Sequence, residues 1–256
     1  MTQQQKIAAY LARIGFDTAP GLDFNTLCAL QRKHLETIPY ENLDILQGIP
    51  LSLDVDDLFE KIILRRRGGY CFELNALFAW LLRNLGFEVT DYFARFLLNE
   101  PEIPMRRHHV LGVSFGGECY LCDVGVGLVI PRVPIPLKAG ALSRQNGEEY
   151  KLDKEDFLGY VLYERKGEGW RQLYAFTKEL QLPVDFVATS FYCENFPGSI
   201  FKNVKMVHIF TADGRKSMTD GELRVFSPGG VEVVPIGTAD EEARILKQHF
   251  GIELKF

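Results

Sequence analysis

The run Arg67-Gly68-Gly69-Tyr70-Cys71-Phe72-Glu73-Leu74-Asn75 joins a glycine pair to the start of a helical pattern. The glycines allow a tight turn with close backbone approach. Cys71 then falls at a helix amino terminus, where unpaired N–H groups and the macrodipole favour negative charge. A thiol so placed is expected to have a lowered pKa and to serve as a nucleophile. The same N–H groups could donate to the oxyanion of an acyl intermediate. Most cysteines are instead small buried hydrophobes, so Cys71 needs a partner base before chemistry is implied.

The partner is sought in the run from His108 to Asp123. Gly116-Gly117 separates two strand-like segments and reads as a two-residue hairpin turn. Counting outward equally from that turn, Asp123 comes opposite Val110. His108 lies two residues from Val110, a diagonal neighbour of Asp123 on the same sheet face, roughly 7–8 Å away at the backbone. His109 faces the other side. This register favours His108 as the base and Asp123 as its orienter, whereas a three-residue turn would select His109. A lone strand histidine is usually structural and an aspartate after a strand is usually a turn former. The conjunction of thiol, imidazole and carboxylate carries the nucleophile–base–orienter reading.

The elements that must position these groups follow from periodicity. Apolar residues at spacings of three and four predict helices over 4–14 and 24–35, with a further candidate over 54–64. The clearest helix is 72–85, one stripe of Leu74, Leu77, Phe78, Leu81, Leu82 and Leu85 closed by Gly86. Residues 87–98, 108–115, 118–124, 160–163 and 170–176 read as strands, broken up by Pro131, Pro134 and Pro136. A third part begins near Ser190, with strands over 204–211 and 231–234. It closes with a helix over 239–249, capped by Thr238 and Glu241 and ended by Gly251. Helices, then strands, then a smaller mixed unit define an α+β chain, divided as 1–90, 91–190 and 191–256.

Composition narrows the function classes. The chain has 256 residues, 46% apolar and 25% charged, which excludes a disordered chain. With 34 acidic against 29 basic side chains, the net charge of −5 argues against general nucleic-acid binding. The longest oily stretch, 74–82, is too short for a membrane span. The first residues lack an apolar signal core, and the five cysteines form no framework, so reduced thiols in the cytoplasm are expected. Cys119-x-x-Cys122 lies in a strand and lacks a second half, so neither metal nor redox chemistry is expected of it. Gly214 and Gly221 are turn residues without phosphate-loop spacing. Nothing in the sequence sets an oligomeric state.

At these residues the sequence resembles the arylamine N-acetyltransferase family. The likeness is carried by Arg67 to Asn75, by Ile38-Pro39-Tyr40-Glu41-Asn42-Leu43-Asp44, by His108, and by Tyr120-Leu121-Cys122-Asp123-Val124-Gly125. It covers essentially the whole chain and is weakest in the final third. It implies a Cys71-His108-Asp123 triad, and the family's fifteen-residue interval from His to Asp selects His108 independently of the hairpin. It further implies a helical bundle, a β-barrel and an α/β lid, the first two arranged as in cysteine proteases. The implied activity is ping-pong acetyl transfer from acetyl-coenzyme A (acetyl-CoA), as co-substrate, through an acetyl-cysteine. Acceptors would be the nitrogens of arylamines and arylhydrazines, or the oxygen of N-hydroxyarylamines.

Glu41 and Arg67 would form a supporting ion pair, with Arg65 and Arg66 exposed. Tyr40 and Val126 would line the acceptor pocket, and Ser217 and Thr219 would contribute contacts to coenzyme A. No metal is implied. Val126 stands where the family usually has Phe, which predicts a roomier pocket less dependent on stacking. A macrocycle-forming amide synthase of the same family is the nearest rival reading. A papain-like or transglutaminase-like thiol enzyme fits the triad but not the flanking motifs, and a non-catalytic binding module predicts a broken triad.

Overall fold

The computed structural model describes residues 1–254. Helix α1 (Gln3–Arg13) is opened by a capping box between Thr2 and Gln5, and α2 (Phe24–Thr37) by the Asp23 carboxylate. A short strand β1 (Tyr40–Glu41) and helix α3 (Leu43–Leu46) follow. The segment expected as one helix over 54–64 is α4 (Val55–Leu58), which widens into a π-helical turn over Phe59–Leu64. Helix α5 (Cys71–Asn84) buries Phe72, Leu74, Leu77, Phe78, Leu81 and Leu82. Gly86 follows it at φ 95°, the left-handed conformation that ends a helix cheaply only for glycine.

The middle of the chain is one antiparallel sheet of eight strands. They are β2 (Glu88–Phe96), β3 (His108–Phe115), β4 (Glu118–Cys122), β5 (Ile135–Pro136), β6 (Ala141–Gln145), β7 (Glu148–Glu155), β8 (Gly159–Lys166) and β9 (Gly169–Phe176). Their spatial order is β5-β4-β3-β2-β9-β8-β7-β6, and the edge strands β5 and β6 meet, so the sheet is a nearly closed barrel. Tyr92, Val110, Leu121, Tyr150, Leu152, Leu162 and Phe176 belong to one apolar core in this sheet. Leu111, Val113 and Cys122 join the separate core made with the helices.

Helix α6 (Asp185–Asn195) and helix α7 (Ile200–Asn203) lead to β10 (Val207–Phe210), β11 (Arg215–Thr219), β12 (Glu222–Ser227) and β13 (Gly230–Pro235). These four strands pair in sequence, and β1 completes their sheet by pairing with β10. Helix α8 (Ala239–Ile245) carries the expected capping box and continues as a π-helical turn to Phe250, with Gly251 at φ 68°. The helix expected over 239–249 thus holds its position but not a uniform winding. Among the described residues no helix is long and apolar enough to cross a membrane.

Candidate active site

The glycines before Cys71 are required by space rather than by their own dihedrals. Arg66 adopts the left-handed conformation, φ 56°, while Gly68 does not. A Cβ on Gly68 would come within 2.0 Å of the Pro39 carbonyl oxygen, so only glycine lets the two backbones touch. Glu41 N–H donates to the Gly69 carbonyl at 2.9 Å, fixing β1 alongside the turn. The Glu73 carboxylate folds back and accepts from Tyr70 N–H at 3.1 Å, satisfying a donor at the start of α5. Cys71 is the first residue of that helix and is buried.

The hairpin register is the one read from Gly116-Gly117, with Phe115 opposite Glu118 and Leu111 opposite Cys122. His108 Nε2 lies 2.7 Å from Asp123 Oδ2, and both side chains are buried. The other carboxylate oxygen of Asp123 accepts from Asn75 Nδ2 at 2.9 Å and from Gly125 N–H at 2.8 Å. Asn75 stands one turn beyond Cys71 on α5. It also donates to the His109 carbonyl at 2.7 Å and accepts from Val124 N–H at 3.0 Å. One amide side chain therefore ties α5 to β3 and to the segment that follows β4. Gly125 closes the arrangement: a Cβ there would sit 2.7 Å from Cys71 Cα.

The Cys71 sulfur lies 3.8 Å from the Arg107 carbonyl oxygen, beside His108, and the N–H groups of His109 and Phe72 donate toward it. Burial pushes the Cys71 thiol up, and the Cys193 thiol on α6 and the Asp123 carboxylate push the same way. The expectation of a lowered pKa from helix position alone is thereby corrected. Desolvation disfavours the thiolate by more than the N–H donors favour it.

Arg67 pairs with Glu41 at 2.9 Å and with Asp44 at 2.6 Å. Lys61 bridges Asp44 and Glu73 at 2.8 and 2.7 Å, so the expected pair belongs to a larger network. Arg65 and Arg66 are exposed. Tyr40 packs against the apolar cluster that contains Cys71, Phe72, Phe93, Phe186 and Cys193, and stacks on His208 at 5.8 Å. Val126 is buried with the helical core and is not a member of that cluster. Ser217 is buried between His208 and Arg224 in the sheet, and Thr219 ends the same strand. Both stand on β11, the middle strand of the last sheet.

Sequence reading missed two features. Asn75 was visible as a polar residue in the apolar stripe one turn from Cys71, yet its partners come from β3 and the loop after β4. A second buried pair joins His109 Nε2 to Asp91 Oδ1 at 2.9 Å, with Arg83 on the same carboxylate.

Cys71 at the start of α5 and the buried His108–Asp123 pair on the hairpin are brought to one region by Asn75, and thiol, imidazole and carboxylate are the residue types of a nucleophile–base–orienter array. The family model described as N-acetyltransferase matches residues 23–256. An arylamine N-acetyltransferase of Mycobacterium tuberculosis is 36% identical, over 97% of this chain and 89% of that protein. The solved arylamine N-acetyltransferase of Salmonella typhimurium aligns at a TM-score of 0.94 with 30% identity, covering 100% of this chain and 93% of that one. The Mycobacterium marinum enzyme solved in complex with CoA aligns at 0.89 with 32% identity, covering 96% and 92%. The chain belongs to the arylamine N-acetyltransferase family.

Proposed function

We propose that this protein transfers acetyl groups from acetyl-CoA through Cys71 to the nitrogen of arylamines and arylhydrazines. The observation that carries the reading is the buried His108–Asp123 contact of 2.7 Å. An ionised carboxylate only accepts, so His108 Nε2 holds the proton and Nδ1 keeps a lone pair. That lone pair takes the proton of Cys71. The ion pair so formed offsets the desolvation that burial imposes on a lone thiolate.

In the first half-reaction Cys71 sulfur attacks the thioester carbon, and backbone N–H groups at the start of α5 stabilise the oxyanion. The carbon–sulfur bond to coenzyme A breaks, and the departing thiolate takes the proton from His108. In the second, an amine nitrogen attacks the acetyl-cysteine carbon, the Cys71 thiolate leaves, and His108 accepts the proton the nitrogen sheds. Arylamines suit this cycle because their low basicity leaves the lone pair free at neutral pH. An N-hydroxyarylamine oxygen would discharge the same intermediate. The reading takes residues 1–90, 91–190 and 191–256 as bundle, barrel and lid, with α5 against the barrel as a cysteine-protease-like core.

Incubation with acetyl-CoA followed by intact mass measurement tests the cycle. The expected result is one acetyl added at Cys71 and removed by aniline or a hydrazide. An amine acetylated at full rate by Cys71→Ala would overturn the covalent route.

A further inference from the structure

Helix α6 carries apolar side chains on two opposite sides. Phe186, Ser190 and Cys193 face inward and are buried, and Phe186 and Cys193 join the apolar cluster that contains Cys71. Val184, Val187 and Phe191, at spacings of three and four, lie on the other side and are 68%, 52% and 65% exposed. A helix that is apolar all round belongs in an interior, so the outer side calls for a cover. The same surface continues past both ends of the helix, with Leu180 and Leu182 before it and Phe196 and Ile200 after it, all exposed. With Tyr192 these side chains present on the order of 800 Å², the area that each side of a stable protein interface supplies. The largest apolar patch of an ordinary monomer is roughly 300–600 Å².

The chemistry of this surface narrows its partner. No lysine or arginine occurs between Lys178 and Lys202, so a nucleic acid or an anionic lipid surface finds no cation here. The two acids of α6 are engaged with backbone donors: Asp185 accepts from Leu182 N–H at 2.6 Å, and Glu194 accepts from Leu51 N–H at 3.1 Å. The partner is therefore apolar, and α6 matches itself. Laid antiparallel across a twofold axis, two copies of α6 put the exposed Val187 and Ala188 at the crossing. Phe191 then meets Val184 of the second copy, and Tyr192 meets its Pro183. Each large ring faces a small side chain, the pairing that lets two surfaces interdigitate. The flanks agree, since Leu180 and Leu182 of one copy come to the end where Phe196 and Ile200 of the other stand.

We propose that the outer face of α6 is a homodimer interface, in which a second copy of this chain packs antiparallel, helix on helix. The proposal goes beyond the acetyl-transfer reading and does not depend on it.

Sedimentation velocity at micromolar concentration should give a species of twice 29.1 kDa. Phe191→Glu and Val187→Lys each place a charge on the seam and should return the protein to the monomer mass, with cooperative thermal unfolding retained because both side chains are exposed. In Ala188→Cys, a short bis-maleimide should join two copies through residue 188, which stands at the crossing. Leu142→Cys, exposed on β6, should yield no more cross-linked dimer than wild type. The proposal is overturned by a monomer at every concentration, by a dimer that persists in both charged variants, or by equal cross-linking at 188 and 142. Flotation of a wild-type monomer with phosphatidylcholine vesicles, lost in Phe191→Glu, would assign the face to a lipid surface and overturn it as well.

Discussion

His108 and His109 are successive residues of one strand, on opposite faces, and each contacts a buried carboxylate. The geometric relation is the same in both. His109 pairs across the sheet with Phe93, and Asp91 lies two residues from that partner. Across the hairpin, Asp123 lies two residues from the position facing His108. The difference is in what holds each carboxylate. Asp123 is held by neutral donors, the Asn75 amide and the Gly125 N–H, whereas Asp91 is held by the Arg83 cation. A carboxylate already neutralised by arginine has less field left with which to stabilise an imidazolium. A histidine–aspartate contact is thus not in itself the mark of a base. A neutral grip on the carboxylate, with a thiol nearby, is the better mark.

The largest contrast is expected in the carboxylates. Asp123→Asn should slow Cys71 acetylation on the order of 10⁴-fold, because an amide presents the wrong partner to the imidazole tautomer. Asp91→Asn should slow it by less than about tenfold, since Asp91 faces away from the sulfur. Single-turnover acetylation followed by mass measures both. Similar losses in the two variants would erase the distinction.

A smaller effect is expected at Asn75. Asn75→Ala removes a donor from Asp123 and the tie between α5 and the hairpin, and should cost on the order of 10²-fold through misplacement. Rescue by Asn75→Gln is not expected, because the longer side chain moves the amide. A full-rate Asn75→Ala enzyme would show that Gly125 N–H alone positions the carboxylate.

The strand pair that brings His108 to Asp123 was legible because its register depends on local chemistry. Gly116 and Gly117 both adopt positive φ, and the residues beyond them pair outward one by one. Helix α5 was equally legible, since its stripe of leucines ends at a glycine. The Asp91–His109 pair was not, because it depends on β2 lying beside β3, a choice that the eleven intervening residues leave open. Strands β6 and β7 were hidden by polar sequence: only Tyr150 and Leu152 of Glu148–Glu155 reach the core. Helix α6 escaped because Phe186 is buried while Val187, Phe191 and Tyr192 are exposed, so its apolar residues form no single stripe. It also lacks a side-chain cap. The raised Cys71 pKa was out of reach for the same reason, since it comes first from burial and then from Cys193, which α6 brings to the surroundings of the sulfur.

The smallest effect concerns proton uptake on unfolding. Burial outweighs Asp91 and holds the His109 pKa below its ordinary value. The folded protein therefore keeps His109 neutral where an unfolded chain protonates it. Stability from this group is complete above about pH 6.5 and is lost as pH falls below that value, because the unfolded state then binds the extra proton. Asp91 stays ionised across the same interval, so its own contribution does not vary there. Unfolding by urea at roughly pH 7 and pH 5 should show wild-type stability falling more steeply than that of His109→Gln. The slopes should differ by up to about 1.4 kcal/mol per pH unit. His34 and His208, held neutral by burial to about pH 3, leave a residual slope in both proteins. Identical slopes would mean that Asp91 and burial cancel at His109. In that case the Arg83 grip would no longer separate this imidazole from the one beside Cys71.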